Sequence, residues 1–186
     1  MWRAGQLLRT AKAVVVTVPP AILVHDVVGK VAEIRGASMQ PTLNPIPYEK
    51  NDWVAVRKFF YSPKRGDVVI ARNPSDPSEY IVKRILGLPG DMVKVQQQPN
   101  SSSPYSYNTQ VPRGHCWLEG DNFGRSNDSN SFGPAPLALI QGKVSFIFWP
   151  PTRFGFVHSV EPGTERVPYK SNMIDTQSTS WLSWLF

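Results

Sequence analysis

Ser38 lies in Gly36-Ala-Ser-Met-Gln-Pro-Thr-Leu-Asn-Pro45, between a glycine and a turn punctuated by two prolines. A serine in this setting is either a turn residue or a nucleophile. As a nucleophile it needs a base within hydrogen-bond reach and donors for the oxyanion formed on attack. No Gly-x-Ser-x-Gly elbow surrounds it, because Met39 and Gln40 follow. His115 and His158 stand in no triad-like motif. A lysine can serve instead, provided burial lowers its pKa enough to supply a neutral amine.

Lys83 meets that condition by pattern. In Ile81-Val-Lys-Arg-Ile85, strand alternation puts Lys83 on one face with Ile81 and Ile85, and Arg84 on the other with Val82 and Leu86. The bland alternative is a strand lysine that reaches water along its apolar stem. A third block, Gly120-Asp-Asn-Phe-Gly-Arg-Ser-Asn-Asp-Ser-Asn130, is dense in small polar residues and directly follows a strand-like run. It reads either as a loop held by Asx and Ser turns or as side chains that orient the base.

These three blocks need rigid elements to bring them together. Trp53–Arg57, Asp67–Ala71, Tyr80–Leu86, Met92–Val95, Cys116–Glu119 and Lys143–Trp149 are short, β-branched or aromatic runs bounded by Gly, Pro, Asp or Asn. They predict a mostly β fold, an antiparallel domain of folded-over sheets spanning 33–155. Residues 96–110, rich in Gln, Ser, Pro and Asn, read as a surface loop within it. From about 156 the chain turns Ser/Thr-rich and reads as a flexible tail ending in Trp181-Leu-Ser-Trp-Leu-Phe186.

Residues 1–32 read as a retained N-terminal membrane anchor, with a cleaved signal peptide and a buried helix as the competing readings. The apolar core Ala13–Val24 is short for a span, and Arg3, Arg9 and Lys12 precede it. Lys30 and Arg35 beyond it are balanced by Asp26 and Glu33, so the main domain is expected across the membrane from the basic N-terminus.

At 186 residues the chain accommodates one domain with extensions. Its net charge of +6 is carried by scattered Lys and Arg with no basic run, which argues against nucleic-acid binding. Cys116 is the sole cysteine and the three histidines lack ligand spacing, so neither an internal disulfide nor a metal or other cofactor is expected. A cysteine hydrolase built on Cys116 and His115 is disfavoured, since neighbours on a strand point to opposite faces.

Taken together, the blocks resemble type I signal peptidases, the membrane-bound serine-lysine proteases. Ser38-Met39-x-Pro41-Thr42-Leu43 resembles the nucleophile box, and Lys83-Arg84-Ile-Leu-Gly87-Leu-Pro-Gly90-Asp91 the lysine box. Gly120-Asp121-Asn122 with Ser126-x-Asp128-Ser129 resembles the final box. Val111-Pro-Arg-Gly-His115, Ser126 to Pro134 and Trp149-Pro-Pro151 are similar to the mitochondrial inner-membrane branch of that family.

The resemblance implies Ser38 as nucleophile and Lys83 as general base, with Ser126 bonding the lysine amine and Asp128 holding the surrounding loop. Arg84 and Asp121 stand within the matching boxes as supporting residues. Ile34, Met39, Leu43 and Val82 would line a shallow pocket for a small residue. A preprotein would bind as an added strand along Ile34–Gly36 and Ile81–Lys83. The narrower resemblance implies an inner-membrane anchor, a catalytic domain in the intermembrane space and a partner catalytic subunit.

Two positions depart from the family pattern. Gly36 stands where some members carry a hydroxyl that helps form the oxyanion hole, which leaves backbone N–H groups, including that of Ser38, to serve. Asn130 stands where arginine is common, which removes a salt bridge to Asp128. The competing reading is a noncatalytic subunit that stabilises a partner peptidase.

Overall fold

The computed structural model describes residues 29–46, 50–58, 61–96 and 106–171. Ten strands are formed: β1 (Lys30–Glu33), β2 (Trp53–Arg57), β3 (Val68–Arg72), β4 (Tyr80–Gly87), β5 (Met92–Lys94), β6 (Asn108–Gln110), β7 (His115–Glu119), β8 (Ala135–Pro136), β9 (Ile140–Trp149) and β10 (Gly155–Phe156). One helical turn, α1 (Ser129–Phe132), lies between β7 and β8. The main sheet has the order β1-β2-β9-β3-β4-β7-β8, with β10 on β9, while β5 and β6 form a separate pair. Every pairing is antiparallel.

Alternation along β3 divides the interior. Val68 and Ile70 pack with Ile34, Met39, Leu43, Val54, Val56 and Val144 on one face. Val69 and Ala71 pack with Ile85, Cys116 and Leu118 on the other. A third cluster, with Val93, Val111, Trp117 and Val167, joins the β5–β6 pair to the sheet. Each inward side chain follows from the two-residue period of the strands.

Three expected boundaries are corrected. Lys30, Val31 and Ala32, placed with the anchor in 1–32, form β1 together with Glu33 and pair with Val54–Val56, because Ala32 and Ile34 pack into the first core. Residues 156–171, expected to be part of a flexible tail, are packed. Val157 and Val167 are buried, and the backbone N–H groups of Met92 and Lys94 donate to the carbonyls of Tyr169 and Arg166. Two isolated valines in a Ser/Thr/Pro-rich stretch show no period, so composition concealed them. The expected loop 96–110 contains β6, paired with β5.

Among the described residues no helix is long and apolar enough to cross a membrane. Residues 1–28 of the expected anchor, 97–105 of the loop and the Trp181–Phe186 tip lie outside the described residues.

Candidate active site

Ser38 sits in a tight turn between β1 and β2, entered through Gly36 at φ +90°, a left-handed conformation that favours glycine. Bonds from Gln40 N–H to the Ala37 carbonyl (3.2 Å) and from Leu43 N–H to the Met39 carbonyl (2.9 Å) close the turn. Lys83 reaches it from β4: its Nζ donates to Ser38 Oγ at 3.0 Å. The lysine is only 4% exposed. Loss of water on burial lowers its pKa, while the nearby Asp128 carboxylate pulls the other way. A neutral amine in this place also has a lone pair for the serine proton.

The third block closes over this pair. Asn122 N–H donates to the Ser38 carbonyl at 2.9 Å, which latches the loop after β7 to the serine turn. Gly120 lies so close that a Cβ there would run into Ser126 Oγ and the Ser38 carbonyl. Ser126 is buried beside it. Asp128, fully buried, caps α1: its Oδ1 accepts from Asn130 N–H (3.1 Å) and Asn130 Nδ2 (3.0 Å), and its Oδ2 accepts from Gly120 N–H (3.0 Å). Asn130 therefore bonds Asp128 directly in the place where an arginine was missed.

Arg84 and Asp121 cross-link all three blocks. Arg84 Nε and Nη2 grip the two oxygens of Asp121 at 2.8 and 2.7 Å, and Thr42 Oγ1 donates to Asp121 Oδ2 at 2.5 Å. Arg84 Nη1 adds a bond to the Gly66 carbonyl at 2.6 Å. Arg84→Met leaves this mostly buried carboxylate without its countercharge. We expect a loss of about 3 kcal/mol, measurable by denaturant unfolding of the full chain.

Three residues that hold the serine turn were not picked out in the sequence. Asn44, at φ +50°, donates from Nδ2 to the Ile34 carbonyl (2.7 Å) and exchanges bonds with Asp52. Buried Asp52 also accepts from Arg153 Nε (2.9 Å), whose Nη2 reaches the Thr42 carbonyl (2.8 Å). The Asn44-Pro45 dipeptide carried a turn signal. Nothing local marked Asp52 or Arg153, which meet across 101 residues.

A cleft of about 790 Å³ opens beside Ser38 and Lys83. Ile34, Gly36, Met39, Ile81 and Val82 line it, together with Val56 and Ile70. Leu43 does not: the Met39–Leu43 turn carries it into the first core, where it is fully buried. Two strand edges border the cleft. β1 pairs only with β2, and β7 joins β4 only from Arg84 onward, so Tyr80–Lys83 is paired with β3 alone among the described residues.

Cys116 is a core residue. Its thiol bonds the Ala135 carbonyl, burial pushes its pKa up to about 12, and the His115 ring sits instead against the Arg113 carbonyl.

The site thus brings a serine hydroxyl onto a buried lysine amine, beside a cleft with two open strand edges. The family model for signal peptidase, peptidase S26, matches residues 7–102 and 96–149, and the chain belongs to that family. It is 39% identical over 163 residues to mitochondrial inner membrane protease subunit 2 of Mus musculus, covering 86% of this chain and 89% of that one. Subunit 1 of the same protease from Homo sapiens is 38% identical over 164 residues, covering 86% and 95%. Subunit 2 from Saccharomyces cerevisiae is likewise 38% identical, covering 83% and 89%.

Proposed function

We propose that this chain is itself a catalytic serine endopeptidase, removing sorting peptides from preproteins delivered to the mitochondrial intermembrane space. The observation that carries the reading is the 3.0 Å contact between Ser38 Oγ and a Lys83 that is almost wholly buried. Such a lysine is unsuited to a surface role and suited to proton transfer below the pH at which a free lysine titrates.

In the proposed mechanism Ser38 Oγ attacks the scissile carbonyl and Lys83 Nζ accepts the hydroxyl proton. The tetrahedral oxyanion is met by backbone N–H groups of the serine turn, including that of Ser38. Lys83, now an ammonium, gives its proton to the leaving amine, which departs with the mature protein. Water then attacks the acyl-serine ester, losing a proton to Lys83, which returns it to Ser38 Oγ as the C–Oγ bond breaks and the sorting peptide leaves as its carboxylate. Ser126 orients the lysine, and Asp128 fixes the loop that carries Ser126. No metal or cofactor takes part.

The preprotein lies extended between the open edges at Ile34–Gly36 and Ile81–Lys83, with a small side chain over Ile34, Met39 and Val82. Residues 1–28 provide a single inner-membrane anchor, and the β domain faces the intermembrane space. A second peptidase subunit accompanies the chain, in keeping with the subunit names of its relatives. A Val82→Trp chain, which fills the cleft beside the dyad, is expected to raise KM for preproteins about tenfold or more at unchanged abundance of both subunits. Unchanged processing by that variant would mean that no substrate enters this cleft.

A further inference from the structure

The segment from Gly163 to Ser171 packs along β5 and reaches Glu119, at the end of β7, through the Arg166 side chain. Val167 is buried in the third cluster, and Ser171 N–H donates to Asp91 Oδ1 at 2.6 Å. Arg166 Nη1 donates to the Lys94 carbonyl at 2.6 Å, while Nη2 bonds Glu119 Oε1. That carboxylate oxygen also accepts from Trp117 Nε1 (2.8 Å) and Asn130 Nδ2 (2.9 Å).

Asn130 Nδ2 is shared, since it also donates to Asp128 Oδ1 at 3.0 Å. Its Oδ1 is fixed by Gln96 N–H at 2.8 Å. One amide thus bridges two largely buried carboxylates. Asp128 lies close enough to Lys83 to act on its charge, and Glu119 is met by the guanidinium of Arg166.

We propose that Arg166 is a positioning residue for the Ser38–Lys83 pair: by neutralising Glu119 it leaves Asn130 holding Asp128 on Gly120 and off the lysine amine. The inference rests on the catalytic reading given above. Without Arg166, Glu119 becomes a buried carboxylate with no countercharge and competes for the Asn130 amide. Asp128 is then less firmly held and freer to pair with the protonated Lys83, whose charge it already influences. Both the added negative charge and that pairing favour the ammonium, so the base becomes neutral only at higher pH.

The charged groups facing this network are Glu119, Asp128, Lys83 and Arg166 itself. Arg84 and Asp121 are occupied with each other, and Lys94 offers its carbonyl. Glu165 adjoins Arg166 in sequence.

The test uses the full-length chain, isolated from the inner membrane with its associated subunit. Cleavage is followed on a fluorogenic peptide with alanine before the scissile bond. For Arg166→Met the acid limb of kcat/KM should move up by about one pH unit, giving about tenfold lower rates on that limb that recover at high pH. Arg166→Met combined with Glu119→Gln removes both charges, and should return the limb toward its original place and the fold toward its original stability.

Two results would overturn the proposal. One is a wild-type pH profile for Arg166→Met. The other is a loss equal at every pH that Glu119→Gln does not relieve, which marks a packing role alone. Ser38→Ala assayed alongside keeps the two levels apart: its inactivity leaves the catalytic reading standing whatever Arg166 does, and full activity would remove both.

Discussion

Lys83→Met should abolish cleavage and at the same time stabilise the protein at neutral pH. The loss follows from removing the group that takes the serine proton in the proposed mechanism, and general-base deletions of this kind cost about 10²–10⁴-fold in kcat. The gain follows from linkage. Burial lowers the pKa of Lys83 in the folded chain, so between the lowered value and that of free lysine the unfolded chain binds more protons than the folded one. Stability of the wild-type chain therefore rises with pH across that window, and the cost of the buried lysine is fully present below it. Methionine removes that cost, about 1.4 kcal/mol for each pH unit by which the pKa is lowered.

The variant's advantage should shrink as pH rises toward the free-lysine value, which thermal unfolding across pH would follow. In the wild-type enzyme the same group should appear as an acid limb in kcat, rising with pH through a value below that of free lysine. Lys83→Arg should rescue nothing, because a guanidinium holds its proton throughout. A variant that lost activity and stability together at all pH values would speak for a packing role instead.

The parts of the site that could be read from the sequence were those encoded locally. Lys83 was legible because a two-residue period places it between Ile81 and Ile85, and Ser38 because Gly36, Pro41 and Pro45 punctuate the turn around it. Six strands were legible from β-branched runs between turn residues. β1 was not, because four residues following an apolar stretch carry too little period to separate them from it.

Partnerships across long separations left no local trace. Arg84 and Asp121 are ordinary residue types 37 positions apart, and only the adjacency of β4 and the loop after β7 makes them an ion pair. The same holds for Asp52 with Arg153. Asn130 looked like the loss of a salt bridge, yet its amide takes up Asp128 directly while Arg166 arrives from a stretch that composition marked as tail. Leu43 was misplaced because the turn it belongs to, not its distance from Ser38, decides which way it points.

Ser38→Ala carries the other large expectation, a fall in kcat of about 10⁴-fold or more with folding and substrate binding retained. Alanine removes one oxygen from a turn that Asn44 Nδ2 holds by the Ile34 and Gly36 carbonyls and Asn122 N–H by the Ser38 carbonyl, so the cleft and its strand edges persist. In the proposed mechanism Ser38 and Lys83 act as a unit, so the double variant should be scarcely worse than either single one. A noncatalytic assembly subunit would behave differently: deletion would harm processing, while Ser38→Ala would leave it intact. The direct measurement is preprotein processing in mitochondria whose only copy of this chain carries Ser38→Ala at normal abundance with the partner subunit present. Accumulation of uncleaved intermediate is the result expected of a nucleophilic Ser38, and processing at the normal rate would contradict it.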